Sequence, residues 1–462
     1  MKKMIFAALS PIFALSAVYA EDYYYVATFD DIQGTVTMGS VEAWSLSPAE
    51  DLPPDSAPGA GDILHFYDSN GYAYGGEEVC RVNMPSGTAL AVGGVEAEVS
   101  SEFWIRRNLS VEGNWVQTVS SDKKYSSETS GIRQLRFAVT SSGDGISVGA
   151  DMVLNTSGYF TTRMSNGRSS VSSSGGVSLN VGGALAFNFT GFAGTLADKG
   201  YHVFDMRDSQ SGSAGGNAML FKLGGLKSSG RAVWMTSATS AVAHFNFYNN
   251  SSGAFAGGSF EGVFAADSGV SSQLDITMNG SGRQEMTIYK ASNGSLHGFE
   301  NDLDGKADMS IGNLTVNNGE FVMNTEVAVE NLYLSGGRLK FSSAEKVGGM
   351  TIDGGTLLFG GTINVGDLTV AANTADVVFS AEDLAAHEIT VFEFDYLTGD
   401  FDANSVFSAY NEFGQELGGR FELTGEMGGS GSLVYVVPEP AAVAAFIGAA
   451  ALMFALRRGG RR

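Results

Sequence analysis

The sequence predicts an all-β chain wound as a parallel β-helix, a β-solenoid with coils of about 18 residues over 311–379, irregular β structure upstream and one C-terminal transmembrane helix. Three observations carry this. Apolar residues fall in columns 18 residues apart: Ile311, Val329, Val347 and Val365; Leu314, Leu332, Met350 and Leu368; Val316, Leu334, Ile352 and Val370; Phe321, Leu339, Leu357 and Ala375; Met323, Phe341, Phe359 and Val377. Within each repeat apolar and polar residues alternate, which is the period of a strand rather than of a helix. Gly319, Gly337 and Gly355 recur in register between the columns, at the corners of a coil.

The inward side chains of a single coil cannot offset the entropy of ordering it, so neighbouring coils must stack and the solenoid must continue upstream. Leu179, Val181, Gly182-Gly183, Leu185 and Phe187 repeat the order of Leu332, Leu334, Gly336-Gly337, Leu339 and Phe341, one residue shorter. Alternation recurs at Leu135, Phe137 and Val139, at Ile146 and Val148, and with a break at Val242, His244, Phe245 and Phe247.

Residues 1–20 read as a secretory signal peptide. Lys2 and Lys3 form its charged start, residues 5–15 its apolar stretch, and Val18-Tyr19-Ala20 its cleavage site, with Ala20 the last residue removed. Residues 21–300 are predicted to be an irregular β-solenoid or a β-sandwich, the sandwich suggested by Ala27-Thr28-Phe29-Asp30-Asp31 and Phe103-Trp104-Ile105. Pro48, Pro53, Pro54 and Pro58 mark a loop after the first strands, and the Ser- and Gly-rich stretch 166–183 is expected to be a flexible excursion. Regular coils occupy 301–386. A β cap follows at 387–435, because Ile389, Val391, Phe392, Phe394 and Tyr396 break the 18-residue phase. Residues 436–462 close the chain, with an uncharged apolar helix at 441–456 followed by Arg457, Arg458, Arg461 and Arg462. Sixteen residues at ~1.5 Å each give ~24 Å, enough to span a bilayer when flanking residues snorkel. The arginines fall on the cytoplasmic side of an exported chain.

Composition narrows the function. Thirty Phe and 16 Tyr exclude a disordered chain, and Gly 62 without a three-residue period excludes collagen. The lone Cys80 excludes a disulfide scaffold or a cysteine-based zinc site. A net charge of −23 argues against nucleic acid as a partner. Removing both terminal signals leaves 21 basic against 49 acidic residues, a net −28. Such a surface repels anionic polymers.

Two resemblances extend the reading. Pro438-Glu439-Pro440, the short apolar helix and the terminal arginines with Arg457 and Arg458 resemble the PEP-CTERM sorting signal of Gram-negative bacteria. The resemblance implies an exosortase as partner, with Pro438, Glu439 and Pro440 as its recognition element. It also implies anchorage in the inner membrane before processing, then release to the cell surface or an extracellular polysaccharide matrix. Gly-Gly-Thr-Leu-Leu-Phe at 354–359 and Gly-Gly-Arg-Leu-Lys-Phe at 336–341 resemble the β-strand repeats of autotransporter passenger domains. That likeness implies a right-handed winding and an adhesive or structural role.

Chemical motifs are sparse. Gly145-Ile146-Ser147-Val148-Gly149 fits a nucleophile-elbow string, but no helix follows it. The histidines at 65, 202, 244, 297 and 387 show no metal spacing. Asp302, Asp304 and Asp308 resemble half of a Ca²⁺ loop around Gly305, with Ile311 where the bidentate Glu belongs. A solvated acidic turn is the simpler reading, so no cofactor is expected beyond a weak Ca²⁺ candidate. The sequence therefore predicts a secreted, surface-sorted structural or adhesive protein that is not an enzyme. A carbohydrate-binding protein, with Trp44, Trp104, Trp115 and Trp234 as candidate contacts, is one alternative. A polysaccharide lyase or hydrolase on a β-helix is the other.

Overall fold

The 18-residue columns become strands because each inward side chain stacks on its counterpart in the next coil. In the computed structural model Ile311 registers on Val329, Val347 and Val365, and Leu314 on Leu332, Met350 and Leu368, in parallel pairings. All are buried. The structure describes residues 20–26, 37, 39–50, 52–67, 73–74, 77–82, 90–98, 102–106, 109–119, 135–139, 145–156, 160–166, 178–189, 202–208, 217–228, 232–236, 241–267, 272–292, 306–343, 346–371, 374–399, 401–425 and 427–438.

The chain alternates between two long parallel sheets. Val329–Leu334, Val347–Ile352 and Ile363–Val370 lie in the first, and Glu320–Thr325, Arg338–Ser343 and Thr356–Leu358 in the second. Each return adds one rung beside the last, which is the winding of a solenoid. In the first sheet thirteen successive parallel pairings lead from Asp22–Tyr25 to Glu388–Thr398. At ~4.8 Å per rung that sheet is roughly 60 Å long. The second runs from Glu77–Val82 to Phe407–Asn411. The described strands of residues 21–250 join these same two sheets rather than a separate sandwich, in parallel pairings apart from the antiparallel Trp44–Ser45 and Ala73–Tyr74. Their periodicity is hidden because the sequence length of a coil varies. Register partners are 20 residues apart at Val95↔Trp115, 37 at Trp115↔Met152 and 42 at Thr162↔Phe204.

Glycine marks one corner of the N-terminal coils. Gly93, Gly113 and Gly149 each separate two short strands of the first sheet, while Gly182 and Gly224 sit inside the longer strands Ser178–Phe189 and Asn217–Ser228. These corners stack. A Cβ on Gly113 would lie 2.5 Å from the Gly93 carbonyl oxygen, and one on Gly182 or Gly224 would lie 2.3 Å from the oxygen of Gly149 or Gly182. In the regular coils Gly319, Gly337 and Gly355 have φ of +64°, +62° and +81°, the left-handed region that side chains avoid. Their predicted role in register rests on that geometry.

Four sequence expectations change. The second-sheet columns lose strict phase after Leu357, which registers on Val377 rather than Ala375, a step of 20 residues, and Phe359 is only half-buried. The step is even, so Ala375 and Val377 still point inward. Ala243, rather than Val242 or His244, shares the buried face with Phe245 and Phe247. Of the stretch expected to be flexible, 178–183 is strand, with Leu179 and Val181 fully buried; residues 167–177 lie outside the described residues. The cap is also less separate than expected. Glu388–Thr398 still pairs in parallel with Ile363–Val370, and only its other edge turns antiparallel, to Gly431–Val436 and then Arg420–Thr424.

Outward polar side chains also stack. Asn279 Nδ2 donates to Asn246 Oδ1 at 2.9 Å, Asn317 Nδ2 to Asn279 Oδ1 at 2.9 Å, and Ser335 Oγ to Asn317 Oδ1 at 2.5 Å. Asp275 is held on this sheet, accepting from the Asn313 backbone N–H at 2.9 Å and meeting His244 Nδ1 at 3.2 Å. Burial alone would raise its carboxyl pKa, but the hydrogen bonds from His244 and Asn313 and the His244 charge outweigh burial and lower it. The stabilisation is therefore present above about pH 4, the unfolded value, and is lost as pH falls through the lowered folded value. Asp275→Asn is expected to melt below the parent at pH 7, with the difference shrinking as the pH falls below about 4. A constant difference across a pH series of melting curves would contradict this.

Candidate functional site

The outward face of the first sheet is built by the same repeat that builds the core. Inward columns Ile311 and Leu314 are three residues apart, so two residues lie between them in each rung, in register from one rung to the next. The outer face therefore carries adjoining columns. One contains Asn313, Asn331, Gly349, Asp367 and Tyr396, and the next Thr315, Tyr333, Thr351, Thr369 and Thr398.

Two of these residues are out of character. Tyr333 is 40% and Tyr396 47% exposed, although they are large and partly apolar. They stand on the same face, three rungs apart, or about 14 Å along the axis. Between them lie the hydroxyls of Thr351 and Thr369 and the carboxylate of Asp367. Asn331 Nδ2 reaches Asn313 Oδ1 at 3.4 Å, extending the polar track.

Beside Tyr396 the antiparallel hairpin of the cap extends the sheet from the edge of Glu388–Thr398. The hairpin turn approaches the ring closely enough that a Cβ on Gly428 would lie 3.6 Å from the Tyr396 hydroxyl. The two elements enclose an open cleft of about 560 Å³ with Lys346, Asn364, Glu393, Asp395, Thr424 and Ser432 in its lining. Lys346 Nζ is 2.5 Å from Asp395 Oδ2. Thr424 Oγ1 is 2.7 Å from Ser432 Oγ. The cleft therefore offers hydroxyl, amide and carboxylate groups and has acidic character.

The residues singled out from the sequence are distributed otherwise. Ala20 is exposed just before the first strand. Pro438 is half-buried just after the last strand, where the Val437 N–H donates to the His387 carbonyl at 2.9 Å. Glu439, Pro440, Arg457, Arg458 and the predicted helix 441–456 lie outside the described residues. Among the described residues no helix is long and apolar enough to cross a membrane. Asp302 and Asp304 are also outside them. Asp308 ends a short strand that pairs antiparallel with Gly258–Asp267, and its Oδ1 accepts from the Ala291 N–H at 2.5 Å. Among the described residues no three His, Cys, Asp or Glu side chains converge as metal ligands do.

Trp44 and Trp115 are core residues, 1% and 0% exposed, which removes both as contacts for a sugar. Trp44 packs edge-on against Tyr25 and Phe66. Trp104 and Trp234 lie in the second sheet, Trp234 in register with Phe264. Ser147 of the elbow-like string is mid-strand between buried Ile146 and Val148, so it occupies no sharp turn. Tyr333 and Tyr396 were missed from the sequence, although Tyr333 carried a signal: it breaks a column otherwise filled by threonine. The chain matches no family model, and no curated protein or solved structure matches it.

Proposed function

We infer that this is a secreted, exosortase-sorted protein of the cell surface or extracellular matrix, with a structural or adhesive role. A right-handed solenoid would serve as a stiff body that carries its outer face away from the membrane. The observation that carries the reading is the position of the outermost strands among the described residues: the first begins at Asp22, two residues after the expected cleavage site, and the last ends at Val436, two residues before Pro438.

The start of the body supports the same boundary. The Glu21 backbone N lies 3.1 Å from Asp62 Oδ1, and the Glu21 carbonyl accepts from the Ile63 N–H at 2.9 Å. Cleavage after Ala20 would turn that nitrogen into an ammonium facing a carboxylate. The end of the body is likewise fixed, because Gly431–Val436 pairs on both sides. The sorting segment would leave a rigid cap, held in the inner membrane by helix 441–456 until an exosortase processes the tail.

The test is the fate of the full chain in a Gram-negative host with and without its exosortase. Intact mass should show a surface or released form that starts at Glu21 and has lost the tail. A chain carrying Pro438→Ala and Glu439→Ala should keep its tail and remain in the membrane fraction. Release of that variant at the parental level would overturn the sorting reading. The released protein, mixed with the host's extracellular polysaccharide and Ca²⁺, should co-sediment without creating new chain ends. New ends would replace the structural role with a lyase or hydrolase.

A further inference from the structure

The geometry points to a binding track for an uncharged, linear polysaccharide on the outer face between Tyr333 and Tyr396, continuing into the cleft under the cap hairpin. The proposal takes from the surface reading only where the polymer would be met; the binding itself is a property of the folded face.

Tyr333 and Tyr396 are 40% and 47% exposed on a face whose neighbouring positions are small and polar. An exposed ring with an apolar body and a hydroxyl tip suits a partner with both apolar faces and hydrogen-bonding edges. A sugar ring is such a partner, with C–H faces to stack on the aromatic plane and hydroxyls around its rim. The groups between the two rings match those hydroxyls. Thr351 and Thr369 occupy successive rungs of one column, with Asp367 in the next, and the parallel ladder fixes their spacing at ~4.8 Å. A regular row of donors and acceptors on a rigid sheet favours a ligand that is itself a repeat, because little ordering is needed on binding.

The ends of the track indicate length and charge. With its two aromatic platforms about 14 Å apart along the axis, it engages an extended segment rather than one sugar. The cleft of about 560 Å³ lined by Asp395, the residue before Tyr396, lies within the usual size of small-ligand sites. Its acids, Glu393 and Asp395, together with Asp367 and Glu330 on the open face, outnumber Lys346, which is already held by Asp395. This charge disfavours uronates and other polyanions, consistent with the acidic surface as a whole. Carboxylates remain good acceptors for neutral hydroxyls.

The experiment uses the full chain purified in detergent and measures retention on cellulose, curdlan, chitin and starch, with polygalacturonate as the anionic comparison. Retention is expected on at least one neutral polymer and not on polygalacturonate. Tyr333→Ala and Tyr396→Ala should each weaken it about tenfold, by loss of one stacked ring. Phe413→Ala, at an exposed turn outside the track, should leave it unchanged, as should the melting temperatures of both tyrosine variants. Loss of binding at each tyrosine with normal sorting would support the track independently of the export reading. Failure on all four neutral polymers, equal binding of polygalacturonate, or parental binding by both tyrosine variants would overturn the proposal. So would self-association of the parent that the tyrosine variants abolish, since the face would then be a contact between copies of the chain.

Discussion

Alanine at Gly182 is expected to destabilise the solenoid by about 3 kcal/mol or more, as a case of overpacking against immobile atoms. The added Cβ would sit 2.3 Å from the Gly149 carbonyl oxygen and 3.1 Å from its carbonyl carbon. Those are backbone atoms of the coil beneath. Gly149 cannot retreat freely, because its N–H donates to the Val111 carbonyl at 2.7 Å and so belongs to the stack below. Gly224 would meet the same obstacle against Gly182, one coil further along. The control is Gly59→Ala, where nothing lies within 4 Å of the new methyl group. It should be neutral or slightly stabilising through the unfolded chain. Urea unfolding of the two variants beside the parent checks the contrast, and equal midpoints for Gly182→Ala and Gly59→Ala would refute the stacked-corner account.

Gln284→Leu is expected to cost about 2–5 kcal/mol, because it strips partners from two buried backbone groups at once. The side chain of Gln284 is fully buried in strand Arg283–Tyr289. Its Oε1 accepts from the Leu226 N–H at 3.0 Å, and its Nε2 donates to the Leu226 carbonyl at 3.0 Å and to the Glu285 carbonyl at 3.0 Å. The need arises from the winding. Strand Asn217–Ser228 pairs with Ala241–Phe247 only as far as Leu223, and one amide side chain completes the ladder at Leu226. Leucine has similar bulk but supplies neither group. Hydrogen exchange gives a local reading: the Leu226 amide should lose protection well beyond that of Phe221, whose strand pairing is untouched. Equal protection in parent and variant would show that the amide is satisfied some other way.

The outer track and the inner core come from one repeat, and this explains how much was legible. Apolar columns are visible in a sequence wherever the coil length is constant, as it is from Ile311 to Leu368. Where the number of residues between register partners varies, the same stacking persists without a sequence period, and single strands such as the one with Ile146 and Val148 are all that can be recognised. The tryptophans show the corresponding weakness for sites. Residue type made all four candidate sugar contacts, but in-or-out placement on a strand put Trp44 and Trp115 in the core.

The sequence by itself determined the strand period, the regular coils and the corner glycines of those coils. Each is a local property of alternation or spacing. Only the tertiary structure decided that the described strands of residues 21–250 join the same stack, that Gly93 through Gly224 form one column, and that Gln284 completes the ladder at Leu226. It alone placed Tyr333 and Tyr396 on one face, although 63 positions separate them in the chain. The physical reason is that parallel rungs bring residues together by rung and column, and the number of residues between rungs, whose entropic cost changes only slowly with length, decides which ones meet.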